Sequence, residues 1–271
     1  MLFRSLPQPG LPVTKRRPLR IVHTSDVHLG AYASNKEERW SERRELMEGA
    51  FANVIALANE VDADALLIAG DFFDNDRVED RVPKFAGEQI NRFRGKTYLL
   101  PGNHDPMDAG RIYWRYDLEA MAPRLRIIRQ HAGETLFDED LDLVLWGRGY
   151  LESDWHFRPL AGLPQRIDER WHIAMAHGHF VRKDGDYSRS LLIPEEQIAA
   201  AAGQWDYLAL GHWEPHADVS SGGTTAIYSG APLALSDSNR KAGWAAVVDL
   251  DERGTSWRLH RVDPRGEAPY A

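Results

Sequence analysis

The run Leu66-Leu67-Ile68-Ala69-Gly70-Asp71-Phe72-Phe73-Asp74 constrains this chain more than any other stretch. It begins as unbroken apolar sequence, the pattern of a strand buried on both faces. It then breaks at Gly70 and delivers Asp71 and Asp74. Carboxylates at the end of a core strand are strongly disfavoured unless something positive meets them. The next residues, Asn75 and Asp76, add oxygen and negative charge instead. A bound cation resolves the conflict, so the question becomes whether the rest of the chain offers ligands.

It does, at other strand ends. Residues 20–25 read as a strand running into Asp26-Val27-His28-Leu29-Gly30. Residues two apart on extended chain point the same way, so Asp26 and His28 are expected to project together. Residues 41–61 read as a helix, with Ser41 as its N-cap and Leu46, Ala50, Val54, Leu57 and Val61 at helical spacing. This β-α-β unit predicts parallel, adjacent strands whose C-terminal ends share one sheet edge, where α/β proteins bind ligands. A polar helix over 77–94 is expected to be a solvated face. A strand over 96–100 ends in Pro101-Gly102-Asn103-His104-Asp105. Asn103 can give a neutral oxygen to a hard cation, His104 can act as an acid, and Asp105 can hold its ring. Each segment alone reads equally well as a turn, because Gly, Asn and Asp are turn formers; the series does not.

Further along, a strand over 171–176 ends in His177-Gly178-His179, and one over 207–210 ends in Gly211-His212-Trp213-Glu214-Pro215-His216. Residues 107–121 are expected to be a surface excursion. The stretch with Arg182, Lys183, Asp184, Asp186 and Arg189 reads as a solvated loop. A closing hairpin is expected from 243–250 and 255–262. The absence of cysteine excludes disulfides, thiolate zinc sites and cysteine nucleophiles. A formal charge of −8 argues weakly against a bulk electrostatic grip on nucleic acid. The start of the chain carries Pro7, Pro9, Pro12 and Pro18 and no apolar core of a signal peptide or membrane span. A flexible tail over 1–18 and a cytoplasmic location are therefore expected.

Asp26-His28, Gly70-Asp71-Asp74 and Gly102-Asn103-His104-Asp105 stand in the order and spacing of the first three motifs of the calcineurin-like metallophosphoesterases, and the chain resembles that family over 19–262. The wording His23-Thr24-Ser25-Asp26-Val27-His28-Leu29-Gly30 is most similar to the SbcD-type DNA repair exonucleases within it. Gly147-Arg148-Gly149-Tyr150 and Gly230-Ala231-Pro232-Leu233 are similar to the same members. His177 fits the fourth motif. The fifth, GHxH, is matched by His212 but has Glu214 in place of the second histidine, with His216 two residues on.

The resemblance implies an α/β fold: a four-layer α-β-β-α sandwich of two mixed sheets flanked by helices. It implies one metallophosphoesterase domain over 19–271, here without the capping domain of full-length nuclease-type members. Two divalent ions are implied, Mn2+ ahead of Fe or Mg2+ for mixed N/O ligands without sulfur. One ion would take Asp26, His28, Asp71 and either Glu214 or His216. The other would take Asp71, Asn103, His177 and His212. Asp74 and His179 would support from outside the ligand set. The implied chemistry is hydrolysis of a phosphodiester by a metal-activated hydroxide, with His104 as acid and Asp105 favouring its imidazolium. Three functions follow: a DNA repair-type nuclease, a phosphodiesterase or phosphatase for a small molecule such as a nucleotide, and a non-catalytic scaffold. No membrane partner is expected. An SbcC-like ATPase partner belongs to the nuclease reading and is weakened by the missing cap.

Overall fold

The computed structural model describes residues 16–31, 37–233 and 241–266. The chain runs β1 (Leu19–Thr24), α1 (Glu37–Glu60), β2 (Ala65–Ala69), α2 (Arg81–Arg92), β3 (Lys96–Leu100), α3 (Ile112–Arg115), α4 (Leu118–Met121) and β4 (Leu125–Ile127). It continues through β5 (Glu134–Asp138), β6 (Leu143–Gly147), β7 (Trp171–His177), β8 (His179–Val181), β9 (Leu192–Pro194), α5 (Glu195–Ala200) and β10 (Tyr207–Gly211). It ends with β11 (Ala217–Asp218), β12 (Ala226–Tyr228), β13 (Trp244–Asp251) and β14 (Gly254–Arg261).

Two six-stranded sheets form, ordered β14-β13-β1-β2-β3-β4 and β11-β12-β10-β7-β6-β5. Both are mixed: β1, β2, β3 and β4 are parallel in the first, β12, β10, β7 and β6 in the second, with antiparallel strands at the remaining edges. The sheets stack through Ile21, Leu67, Tyr98, Leu145, Ile173 and Tyr207, all buried. The odd-numbered residues of β2 face this inter-sheet core, while Leu66 and Ile68 face the helices. That is why the strand reads as one apolar run: neither face sees water. On the outer side of the first sheet, Phe51, Val54 and Ala58 of α1 and Val82, Ala86 and Ile90 of α2 complete a second core. Ile198 of α5 packs in a third core, outside the second sheet. The layers are thus helix, sheet, sheet, helix, as expected.

Three expectations are corrected. Ser41 does not cap α1, which already starts at Glu37. The segment expected as a solvated face is α2, whose Val82, Pro83, Ala86, Gly87 and Ile90 are buried. The 107–121 excursion contains α3 and α4 and buries Ile112, Tyr113 and Leu118. The expected tail over 1–18 lies outside the described residues for 1–15. Arg16 forms an ion pair with Asp206 at 3.3 Å, and Arg17 pairs with Asp64.

Candidate metal centre

Five strands from two sheets end at one edge of the sandwich, and each leads to a polar side chain singled out from sequence. β1 leads to Asp26 and His28, β2 to Asp71, and β3 to Asn103 and His104, while β7 ends in His177 and β10 leads to His212. The chain turns sharply there. Asp26, His28, Asp71 and His212 have φ of 53°, 50°, 50° and 106°, in the left-handed region that non-glycine residues avoid. The loops are cross-tied: Asp26 N–H donates to the Gly70 carbonyl (3.0 Å), His28 N–H to the Asp71 carbonyl (3.0 Å), and His212 N–H to Asp26 Oδ2 (3.0 Å).

Two glycines make room. Gly70 has φ +91°, and a Cβ there would fall 2.0 Å from His177 Nδ1. At Gly102 a Cβ would fall 2.2 Å from Asp71 Oδ1. Both separations are far below van der Waals contact, so only glycine lets these loops approach so closely.

Among the described residues, two groups of side chains bring ligand atoms within 4.8 Å of one another: His28, Asp71 and His104, and Asp71, His177 and His212. Asp71 belongs to both. Asn103 joins the second, since its Oδ1 lies 3.1 Å from His177 Nε2 and 3.1 Å from His212 Nδ1. Asp26, Glu214 and His216 fall outside both groups; His216 Nδ1 donates to the Lys241 carbonyl at 3.1 Å, and its ring lies against Trp244.

The charges are tightly balanced. Asp26 and Asp71 are each only 2 % exposed. Burial drives the Asp26 carboxyl up; for Asp71 the neighbouring His177 and His28 outweigh burial and hold it well below the usual range. His177 Nδ1–H donates to the Ala69 carbonyl (2.9 Å), and Nε2 faces Asn103 Oδ1 and Asp71 Oδ2 (3.2 Å). Burial opposes its charge, but Asp71 and Asp26 raise it to about 9. His28 behaves alike: burial is outweighed by Asp74, Asp71 and Asp26, and it rises to about 9. Burial beside charged His177 pushes His212 down to about 3. Protons on His28 and His177 thus supply the positive charge these carboxylates need, and they sit on the imidazoles a cation would claim. Carboxylate, imidazole and amide oxygen without sulfur are a donor set for divalent metal ions.

One sequence expectation is overturned. Asp105 does not hold the His104 ring. It is fully buried, its Oδ2 accepts from Phe72 N–H (2.9 Å), Phe73 N–H (3.0 Å) and Tyr113 O–H (2.6 Å), and its Oδ1 accepts from Gly102 N–H (2.7 Å). The backbone donors stand beside Asp71 and Asn103 and the hydroxyl comes from α3, so Asp105 ties the two loops together and to that helix. The His104 ring is held by the Asp74 carbonyl, to which Nδ1–H donates at 2.8 Å. Its backbone N–H donates to Asp71 Oδ1 at 2.8 Å, and its side chain is 43 % exposed. Asp74 also reaches His28 Nδ1, at 3.4 Å. His179 accepts at Nδ1 from Trp213 Nε1–H, 3.0 Å away. Sequence reasoning does not find Tyr113 or Trp213: Tyr113 stands in a stretch whose spacing carries no chemical pattern, and Trp213 occupies the variable position of the fifth motif, where the pattern asks for no particular side chain.

A sheet sandwich with two His/Asp groups sharing one buried carboxylate at its strand ends is the arrangement of a metal-dependent phosphoester hydrolase. The family model described as calcineurin-like phosphoesterase matches residues 19–222, and the chain belongs to that family, whose members depend on two metals. A curated relative, the DNA double-strand break repair protein Mre11 of Haloferax volcanii, is 27% identical over 258 residues. The match covers 93% of this chain and 53% of that protein, so the chain spans about half of its relative's length. Among solved structures, TT1561 of Thermus thermophilus superposes with a TM-score of 0.56 at 16% identity, over 92% of this chain and 100% of that one. A Staphylococcus aureus protein provisionally named a 5′-nucleotidase gives 0.50 at 14% identity, over 91% and 54%. These two likenesses concern the fold alone.

Proposed function

We infer that the chain is a two-metal phosphodiesterase of the nuclease type. The observation that carries this is Asp71, one buried carboxylate common to two ligand groups. The first ion would be held by Asp26, His28 and Asp71, with Glu214 or His216 completing the set; the His216 Nδ1–H is spent on the Lys241 carbonyl, which leaves Nε2 as its ligand atom. The second would be held by Asp71, Asn103, His177 and His212. When bound, such ions supply Lewis-acid activation of water and of phosphate oxygens. The chain's own part is to orient these ligands through the crossed backbone hydrogen bonds and to deliver a proton. His104 is placed for that: Nδ1 is fixed on the Asp74 carbonyl, the ring is part-exposed, and it packs edge-on to His28 at 4.6 Å. A protonated Nε2 would serve the departing alkoxide. The nuclease reading is favoured over a small-molecule one by the relative's printed role in DNA break repair.

The test is hydrolysis of bis-(p-nitrophenyl) phosphate with manganese, followed by single-stranded DNA, duplex DNA, RNA and cyclic nucleotides. Diester turnover with a preference for the polymers is expected. Absence of turnover with every divalent metal tried would defeat the catalytic reading.

The balance of charge gives a pH dependence. His28 and His177 keep their protons up to about 9 in the metal-free protein, and imidazole ligates only when neutral. Metal loading near neutral pH is therefore expected to release protons, and apparent affinity should rise as pH rises toward about 9. Calorimetric titration in buffers of different ionisation enthalpy counts these protons. A buffer-independent heat would contradict the assignment.

A further inference from the structure

Beside the second ligand group lies an open groove of about 570 Å3, lined by His179, Phe180, Arg182, Arg189, Trp213 and Asp218, among others. Its volume is within the range of small-molecule sites. It adjoins the candidate centre directly: Trp213 follows His212 in the chain, and the His179 ring lies 6.3 Å from the His212 ring. Its aromatic wall is fixed. Trp213 stacks on Tyr228 at 4.6 Å with an interplanar angle of 17°, its Nε1–H is held by His179, and Tyr228 O–H donates to the Gly178 carbonyl at 2.8 Å. Phe180 meets Trp213 edge-on and is only partly buried.

The polar lining is mixed. Among the described residues most arginines are engaged, yet the side chains of Arg182 and Arg189 make no hydrogen bond or ion pair there. Asp184, Asp186 and Asp218 also line the groove. Asp186 and Asp218 each accept from a backbone N–H of their own turn, those of Ser188 and Ser220, at 2.9 Å. Three carboxylates against two guanidiniums do not make a phosphate track. They do match a flat heterocycle whose edge presents both donors and acceptors, with an aromatic face to stack on.

We propose that this groove is a nucleobase subsite, holding the base next to the scissile phosphate by stacking on the Phe180–Trp213 wall and by edge contacts from Arg182 and Arg189. The subsite rests on the phosphodiesterase reading and narrows its substrate to nucleotides. It makes recognition of the base part of the chain's own geometry, separate from phosphate binding at the metals.

The test compares two readouts. The first is equilibrium binding of a nucleoside 5′-monophosphate and of ribose 5-phosphate to the manganese-loaded protein and to Phe180→Ala and Arg189→Ala. The nucleotide should bind the unsubstituted protein roughly tenfold more tightly than the sugar phosphate, an advantage of stacking size that Phe180→Ala removes. The second is kcat/KM for a nucleoside 5′-(p-nitrophenyl phosphate) relative to methyl p-nitrophenyl phosphate. That ratio should fall roughly tenfold in Phe180→Ala, through KM. Equal affinity for both ligands in the unsubstituted protein, or an unmoved ratio in both variants, overturns the subsite while diester turnover still supports the parent reading. Base-dependent binding without any diester turnover would retain the subsite and remove the catalytic reading.

Discussion

Asp105→Ala is expected to lower unfolding stability by about 4 kcal/mol or more, the largest stability effect in this site. Three backbone N–H groups and the Tyr113 hydroxyl converge on this one carboxylate. All are buried, and each donor left without an acceptor costs about 1–3 kcal/mol. Burial beside Asp71 raises the Asp105 carboxyl to about 6, while those donors pull the other way, so the charge is tolerated only because the cradle is complete. The melting temperature should fall by roughly 10 °C for a chain of this size. Asp105→Asn keeps one oxygen acceptor and the shape, so it should lose distinctly less. Urea or thermal unfolding of the metal-free proteins reads this directly. A loss under about 1 kcal/mol in Asp105→Ala would mean the two loops do not depend on their shared clamp.

His104→Ala is expected to give the largest change in rate. On a dinucleotide, whose leaving alkoxide needs a proton, turnover should fall roughly 10²–10⁴-fold. On bis-(p-nitrophenyl) phosphate, whose leaving group departs without help, the loss should be far smaller. Two substrates are needed because His104 also lies within ligand reach of His28 and Asp71. An acid leaves the metal content unchanged when removed, whereas a ligand takes an ion with it. Metal analysis of the purified variant separates the roles. Equal losses on both substrates, or a missing ion, would take the acid assignment away from His104.

Much of this site is legible in sequence because its residues sit where buried strands stop. An apolar run that breaks at glycine and presents acids conflicts with burial, and the conflict locates Asp71. Parallel neighbours then require Asp26, His28 and Asn103 at the same edge, where the register of β1, β2 and β3 places them. For Asp26 and His28 the reason differs from the expected one. Alternation along extended chain brings them together on paper, yet both occupy left-handed backbone. Adjacency to His104 makes Asp105 look like a partner for its ring, and sequence does not show that four donors surround that carboxylate. α2 reads as solvated because its polar residues dominate the count, although its Val82, Ala86 and Ile90 form a buried stripe. Trp213 and Tyr228 meet only through the fold, and no sequence spacing announces their stacking.

The central claim is that Asp71 is shared by two cations. Anomalous diffraction from crystals soaked in manganese tests it most directly. Two peaks flanking the Asp71 carboxylate are predicted, about 3.5–4 Å apart as in other two-metal hydrolases. A single peak, or none among Asp71, His177 and His212, would contradict it.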